Sequence, residues 1–143
     1  MSLSRILIPA IILFSFATII YAGTTFPLIV PMNESSYTHN KKIVQFNHKK
    51  HVSAYKLKCG ECHHDKSGIP VILKHGDNVD RCIKCHSKPG EIKGKKAKGM
   101  SKTEKRRYHA NALHDKCRGC HKALKKSNKS KNAPTSCRKC HKK

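Results

Sequence analysis

The chain has 143 residues, enough for one small domain, and its 31 Lys plus Arg against 8 Asp plus Glu give a formal charge of +23. So basic a chain points to nucleic acid, anionic membrane surfaces or acidic proteins as partners, and away from substrates or partners that are themselves cationic. It has no tryptophan, and beyond Ala22 its only phenylalanines are Phe26 and Phe46, so side chains are too few to fill a conventional core and something else must occupy the interior.

In chain order, residues 1–22 hold one basic residue, Arg5, then an apolar run from Ile6 to Phe14, and end at Tyr21-Ala22-Gly23. This is the shape of a secretory signal peptide cleaved after Ala22, with an uncleaved anchor as the alternative, since about 17 residues is the lower limit for a spanning helix. Export argues against nucleic acid and leaves acidic proteins as partners, with membrane contact only if the segment is retained. Residues 23–41 read as an N-terminal extension and 42–143 as the domain. Lys42-Ile43-Val44-Gln45-Phe46 is β-branched and aromatic and predicts a short strand, and Asn47 to Leu57 predicts one or two helical turns. Lys93 to Arg107 carries eight basic residues and one acid, a solvated loop leading into a helix near Thr103 to Leu113. Ala123 to Thr135 reads as a surface loop. Long helices and sheets are not indicated.

Four CxxCH units punctuate the chain: Cys59, Cys62 and His63; Cys82, Cys85 and His86; Cys117, Cys120 and His121; Cys137, Cys140 and His141. In such a unit the two thiols add to the two vinyl groups of one haem, and the histidine presents its imidazole to the iron from the same side. Four CxxC pairs also supply ligands for two zinc sites of four cysteines each. With 11 histidines in 143 residues, however, histidine would follow all four pairs by chance only about four times in 100,000. The expectation is four covalently bound haem c groups with His63, His86, His121 and His141 as proximal ligands.

Seven histidines remain, and no methionine competes with them, because Met1 and Met32 lie upstream and Met100 sits in the lysine-rich loop. The sixth ligand is therefore expected to be histidine at every iron, and bis-histidine ligation closes the site and favours low-potential electron transfer over catalysis. His48 and His51 stand three apart and share one face of a helical turn, which would hold two haems side by side. His63 and His64 are neighbours and cannot serve one iron from opposite faces. His64 must reach a second iron, about 10–15 Å from the first.

At these residues the chain resembles the class III multihaem cytochromes, the cytochrome c3 group and its triheme relatives. The resemblance lies in Phe46-Asn47-His48-Lys49-Lys50-His51, in the doubled histidine of Cys59-Gly60-Glu61-Cys62-His63-His64, in Tyr108-His109, in His114-Asp115 and in Ala133-Pro134-Thr135. It implies a small, mostly α domain with little regular secondary structure, a short N-terminal β element and a core formed by haems. It further implies His48 as partner of the first haem, His64 of the second, His51 of the third and His114 of the fourth, with Phe46 between the first and third. All four motifs here are CxxCH, where many members have a longer second and fourth motif. The gap from His114 to Cys117 is short, and His109, His39 and His75 stand as alternatives for the fourth partner.

The function so implied is a periplasmic, low-potential electron carrier of anaerobic respiration, not an enzyme, passing electrons from a hydrogenase, a dehydrogenase or a membrane cytochrome complex to terminal acceptors. A membrane-anchored tetrahaem quinol dehydrogenase is the alternative; it usually has a methionine shortly after the first motif, and Asp65 to Pro70 contains none. Asp115 to Lys143 holds eleven basic residues and one acid around the third and fourth motifs, a candidate docking face for an acidic partner.

Overall fold

The computed structural model describes residues 26–142. The signal-peptide reading falls on residues 1–22 and lies outside them. The described chain is mostly helical with little regular structure. A two-stranded antiparallel ribbon, β1 (Ile29–Pro31) and β2 (Gln45–Asn47), pairs Val30 with Phe46. Then come a π-helical turn at Lys50–Ala54 and a 3-10 turn at Cys59–Glu61. The helices are α1 (Cys82–Cys85), α2 (Lys102–Arg106), α3 (His109–Lys126) and α4 (Cys137–Cys140), with a second 3-10 turn at Gly94–Ala97.

The expected strand appears, displaced by a residue or two toward the histidines. Its partner β1 was not expected: Pro27 and Pro31 bracket the β-branched pair Ile29-Val30, and Pro31 is tolerated because it ends an edge strand. The helix expected near Thr103 to Leu113 is two helices. Ser101 and Glu104 form a reciprocal capping box that starts α2. The chain is then drawn out at Tyr108, where Lys88 bridges to it, and the Lys88 and Gly90 carbonyls accept hydrogen bonds from the His109 and Ala110 N–H groups (2.8 and 2.9 Å). These satisfy donors that the first turn of α3 would otherwise leave orphaned.

The 18-residue α3 corrects the expectation of no long helix and takes in the first residues of the supposed loop at Ala123 to Thr135. It ends where Asn128 adopts a left-handed φ of 55°. The Asn128 and Lys129 N–H groups reach back to the Lys125 and Leu124 carbonyls (3.1 and 3.0 Å), closing the last turn.

Side chains bury little. Among the described residues the buried hydrophobic ones are Ala97 and Ala133, none is fully buried, and Ile72 stands 100% exposed. Two polar residues are buried as well: Glu34 accepts from Arg81 at 2.8 Å, and His109 Nδ1 meets the Tyr37 hydroxyl at 2.9 Å. The segment before β2 is thereby clamped to the start of α1 and of α3.

Candidate functional site

Each CxxC fits in a single helical turn, so its cysteines, three apart, share a face. In three of the motifs the following histidine leaves that turn while its N–H still bonds the first cysteine's carbonyl: His63 to Cys59 (2.9 Å), His86 to Cys82 (2.9 Å) and His141 to Cys137 (2.8 Å). The third motif lies wholly within α3. In the first, Gly60 is required by close approach, since a Cβ there would come within 2.9 Å of the Val71 carbonyl oxygen.

The fold brings the histidines together in pairs. Ring centroids are 6.3 Å apart for His48 and His63, 5.8 Å for His64 and His86, 6.1 Å for His51 and His121, and 6.3 Å for His114 and His141. Each histidine that follows a cysteine pair therefore faces one histidine from elsewhere in the chain. Two imidazoles on opposite sides of one metal, each nitrogen about 2 Å from it, have centroids about 6 Å apart. Among the described residues no three His, Cys, Asp or Glu side chains converge on one point, as a four-coordinate zinc site requires.

Seven of these eight rings use Nδ1 on an oxygen. His48 reaches the Pro27 carbonyl (3.1 Å), His51 that of Asn47 (2.8 Å), His64 that of Asp65 (2.7 Å), His86 that of Arg106 (2.6 Å), His121 that of Pro134 (2.8 Å) and His141 that of Lys42 (2.6 Å); His114 instead meets the Glu91 carboxylate at 3.1 Å. A carbonyl only accepts, so Nδ1 carries a proton, and Nε2 is the nitrogen that a neutral ring can offer to a metal. The ribbon makes the first of these bonds possible, because β1 carries Pro27 past His48. The eighth ring, His63, is half-buried, and burial foremost, with His48 and His64 close by, lowers its pKa below the usual value.

The other histidines are otherwise engaged. His39 Nε2 lies against its own loop, 3.1 Å from the Glu34 N–H and 2.9 Å from the Glu34 carbonyl, and His109 is held by Tyr37. His75 packs on Phe26 at 4.8 Å. Phe46 lies between His48 and His51, 5.7 and 4.6 Å away. Sequence reasoning missed Glu91, which stands 23 residues from the ring it orients. Burial alone would raise its carboxyl, but the Lys93 ammonium and His114 hold it below the usual range.

The thiols of different motifs sense one another. The Cys117 thiol is pushed up to about 11, by desolvation first and then by Cys62, Cys140, Cys82 and Cys120. Beside Cys59 a cleft of about 610 Å3 is walled by Val52, Leu57, Val71, Ile72 and Leu73. Apolar walls, paired thiols and facing imidazoles fit an apolar macrocycle with a central metal, held from both faces.

The model of the class III cytochrome c family matches residues 27–141, which span all four motifs and every paired histidine. The chain belongs to the class III cytochrome c family. Class III cytochromes bind haem c and carry electrons, and the small, ribbon-and-helix body described here agrees with that. Among curated proteins, none matches this class III cytochrome.

Proposed function

We propose that the chain is a tetrahaem electron carrier in which each iron is held between two histidines: His63 and His48 at the first site, His86 and His64 at the second, His121 and His51 at the third, His141 and His114 at the fourth. The four facing ring pairs carry this reading. The thioether bonds come from Cys59 and Cys62, Cys82 and Cys85, Cys117 and Cys120, and Cys137 and Cys140. A bound haem supplies a one-electron iron couple. The chain supplies the ligands, seven of the eight fixed in orientation by their Nδ1 bonds, which lowers the rearrangement that a change of iron charge demands. Two imidazoles per iron leave no open position for a substrate.

The residues also set the order of the sites. His63 and His64 join the first to the second through one peptide bond, and His48 and His51 join the first to the third through one turn of chain. His114 and His121 join the third to the fourth through two turns of α3. The sites thus run second, first, third, fourth.

The location we propose is the periplasm, and the partners are acidic redox proteins: a hydrogenase, a dehydrogenase or a membrane cytochrome complex of anaerobic respiration. Exposed Lys122 and Lys126 in the last turns of α3, with exposed Lys129 just past its end, follow the third motif and support docking there. A positive rim raises the encounter rate with an acidic protein without needing a large interface. Transfer to such a partner slows as salt rises and the screening length falls to about 8 Å. Reversing Lys122, Lys125 and Lys126 to glutamate slows it further at unchanged potentials; no effect, with a loss on reversing Lys93, Lys95 and Lys96 instead, would move the docking face. For the coordination, the oxidised protein is expected to be low-spin throughout, and the reduced protein to bind carbon monoxide poorly. A large high-spin fraction would show an open site and favour an enzyme.

A further inference from the structure

Three residues line one face of α3: His114, Arg118 four positions on, and His121 three beyond that. His114 faces His141 and His121 faces His51, so Arg118 sits between the fourth and third pairs, about 6 Å from one ligand and 4.5 Å from the other along the helix axis. Its side chain is half-buried, and its Nε is shut off from solvent with no hydrogen-bond partner. Among the described residues it is the one buried side-chain nitrogen or oxygen in that condition. A guanidinium cannot shed its proton, so leaving such a donor dry and unpaired is costly, and an acceptor is called for.

No protein group accepts from Arg118 Nε, and the carboxylates of α3 and of the segments it meets already have partners. Asp115 is paired with Arg106 and Lys102, Glu91 with Lys93 and His114, and Glu34 with Arg81. The acceptor must come from what the two sites bind, and each haem brings two propionate carboxylates. Resting on the tetrahaem reading above, we infer that Arg118 anchors a propionate of the fourth haem, between the third and fourth sites, and raises the potential there. The fourth site is favoured because Arg118 stands one turn beyond its ligand His114 on the same face of α3, and side chains on a helix lean back toward its N-terminus, over that turn. Arginine suits the task, because its planar fork binds a carboxylate through two hydrogen bonds. A fixed positive charge beside an iron disfavours its oxidised, more positive form and so raises the potential.

The test uses holoprotein of the native chain, Arg118→Gln and Arg118→Lys, with haem content by intact mass and the four potentials resolved by NMR-followed redox titration at several pH values. Arg118→Gln should keep four haems. Its fourth site should be about tenfold more oxidised at a given applied potential, a fall of about 59 mV for one electron. That potential should also become pH-dependent, because the carboxylate has lost its cation. Arg118→Lys should recover at least half of the shift, and the first and second sites should not move. Four haems with an unmoved fourth potential, or an equal shift at the first or second site, would overturn the assignment. If neither variant loads haem, isotope-edited infrared spectra of native protein carrying labelled propionates decide: one carboxylate stretch displaced by guanidinium pairing supports it, and only solvent-like bands sink it. A native protein with fewer than four haems would overturn the underlying reading and leave a different mark, in the mass.

Discussion

Between residues 26 and 76 no regular element exceeds five residues, whereas from His109 to Lys126 one helix runs for 18. The first region positions its histidines by covalent nearness, His63 beside His64 and His48 one turn from His51, and orients His48, His51 and His64 on backbone carbonyls. The second relies on the straightness of α3 to separate His114 from His121, and orients His114 on a side-chain carboxylate. Spacing written into the backbone survives loose packing; spacing written into a helix lasts only as long as the helix. The two halves should therefore fail independently.

Lys116→Pro is the sharpest way to separate them. Lys116 is an exposed residue inside α3, between His114 and Cys117, and proline there removes a helix hydrogen bond and clashes with the preceding turn, costing about 3 kcal/mol. A thermal melt should show that loss. In the surviving holoprotein the third and fourth potentials should shift while the first and second hold; movement of all four together would deny the division.

His51→Met comes next. Replacing one imidazole by a thioether raises the potential of a haem, so one potential, assigned to the third site, should rise in redox titration. His39→Gln should alter none, because His39 is spent on the Glu34 loop.

A smaller effect is expected at Glu91. A carboxylate on Nδ1 makes His114 a more basic ligand, which favours the oxidised iron. Glu91→Gln should raise the fourth potential modestly, opposite in sign to Arg118→Gln, and the same titration reads both. If the fourth potential falls or stays, the ring is not oriented by Glu91 in the working protein.

How far the sequence disclosed the site follows the same division. The proposed proximal histidines are legible because a Cys-x-x-Cys-His turn presents two thiols and an imidazole to one haem, and His48, His51 and His64 because their spacing admits few other uses. The pairing of each with its partner entered through the family resemblance, and the facing rings agree with it. Glu91 and Arg118 were invisible, since nothing in local spacing tells which way α3 faces or which distant residue meets it. The break at Tyr108 was equally hidden, for it depends on the Lys88 and Gly90 carbonyls arriving from another part of the chain. β1 went unread because two prolines obscured a two-residue β signal.

The least effect concerns the clamp before β2. Glu34 lies below the usual carboxyl range, foremost through the Ser36 backbone N–H and also through Arg81, against the opposing effect of burial. A carboxyl lowered on folding contributes stability above its ordinary value near 4.5, and that contribution is lost as pH falls through the lower folded value. Melting temperatures followed from about pH 6 to about pH 3 should fall less steeply in Glu34→Gln than in the native protein. Parallel curves would mean that Glu34 does not hold the segment.

Whether the chain holds four haems covalently is decided most directly by intact-mass spectrometry of the purified holoprotein under denaturing conditions. The expected result is the mass of the polypeptide plus four haems that denaturation does not release. Three haems, haem that washes away, or zinc in its place would contradict it.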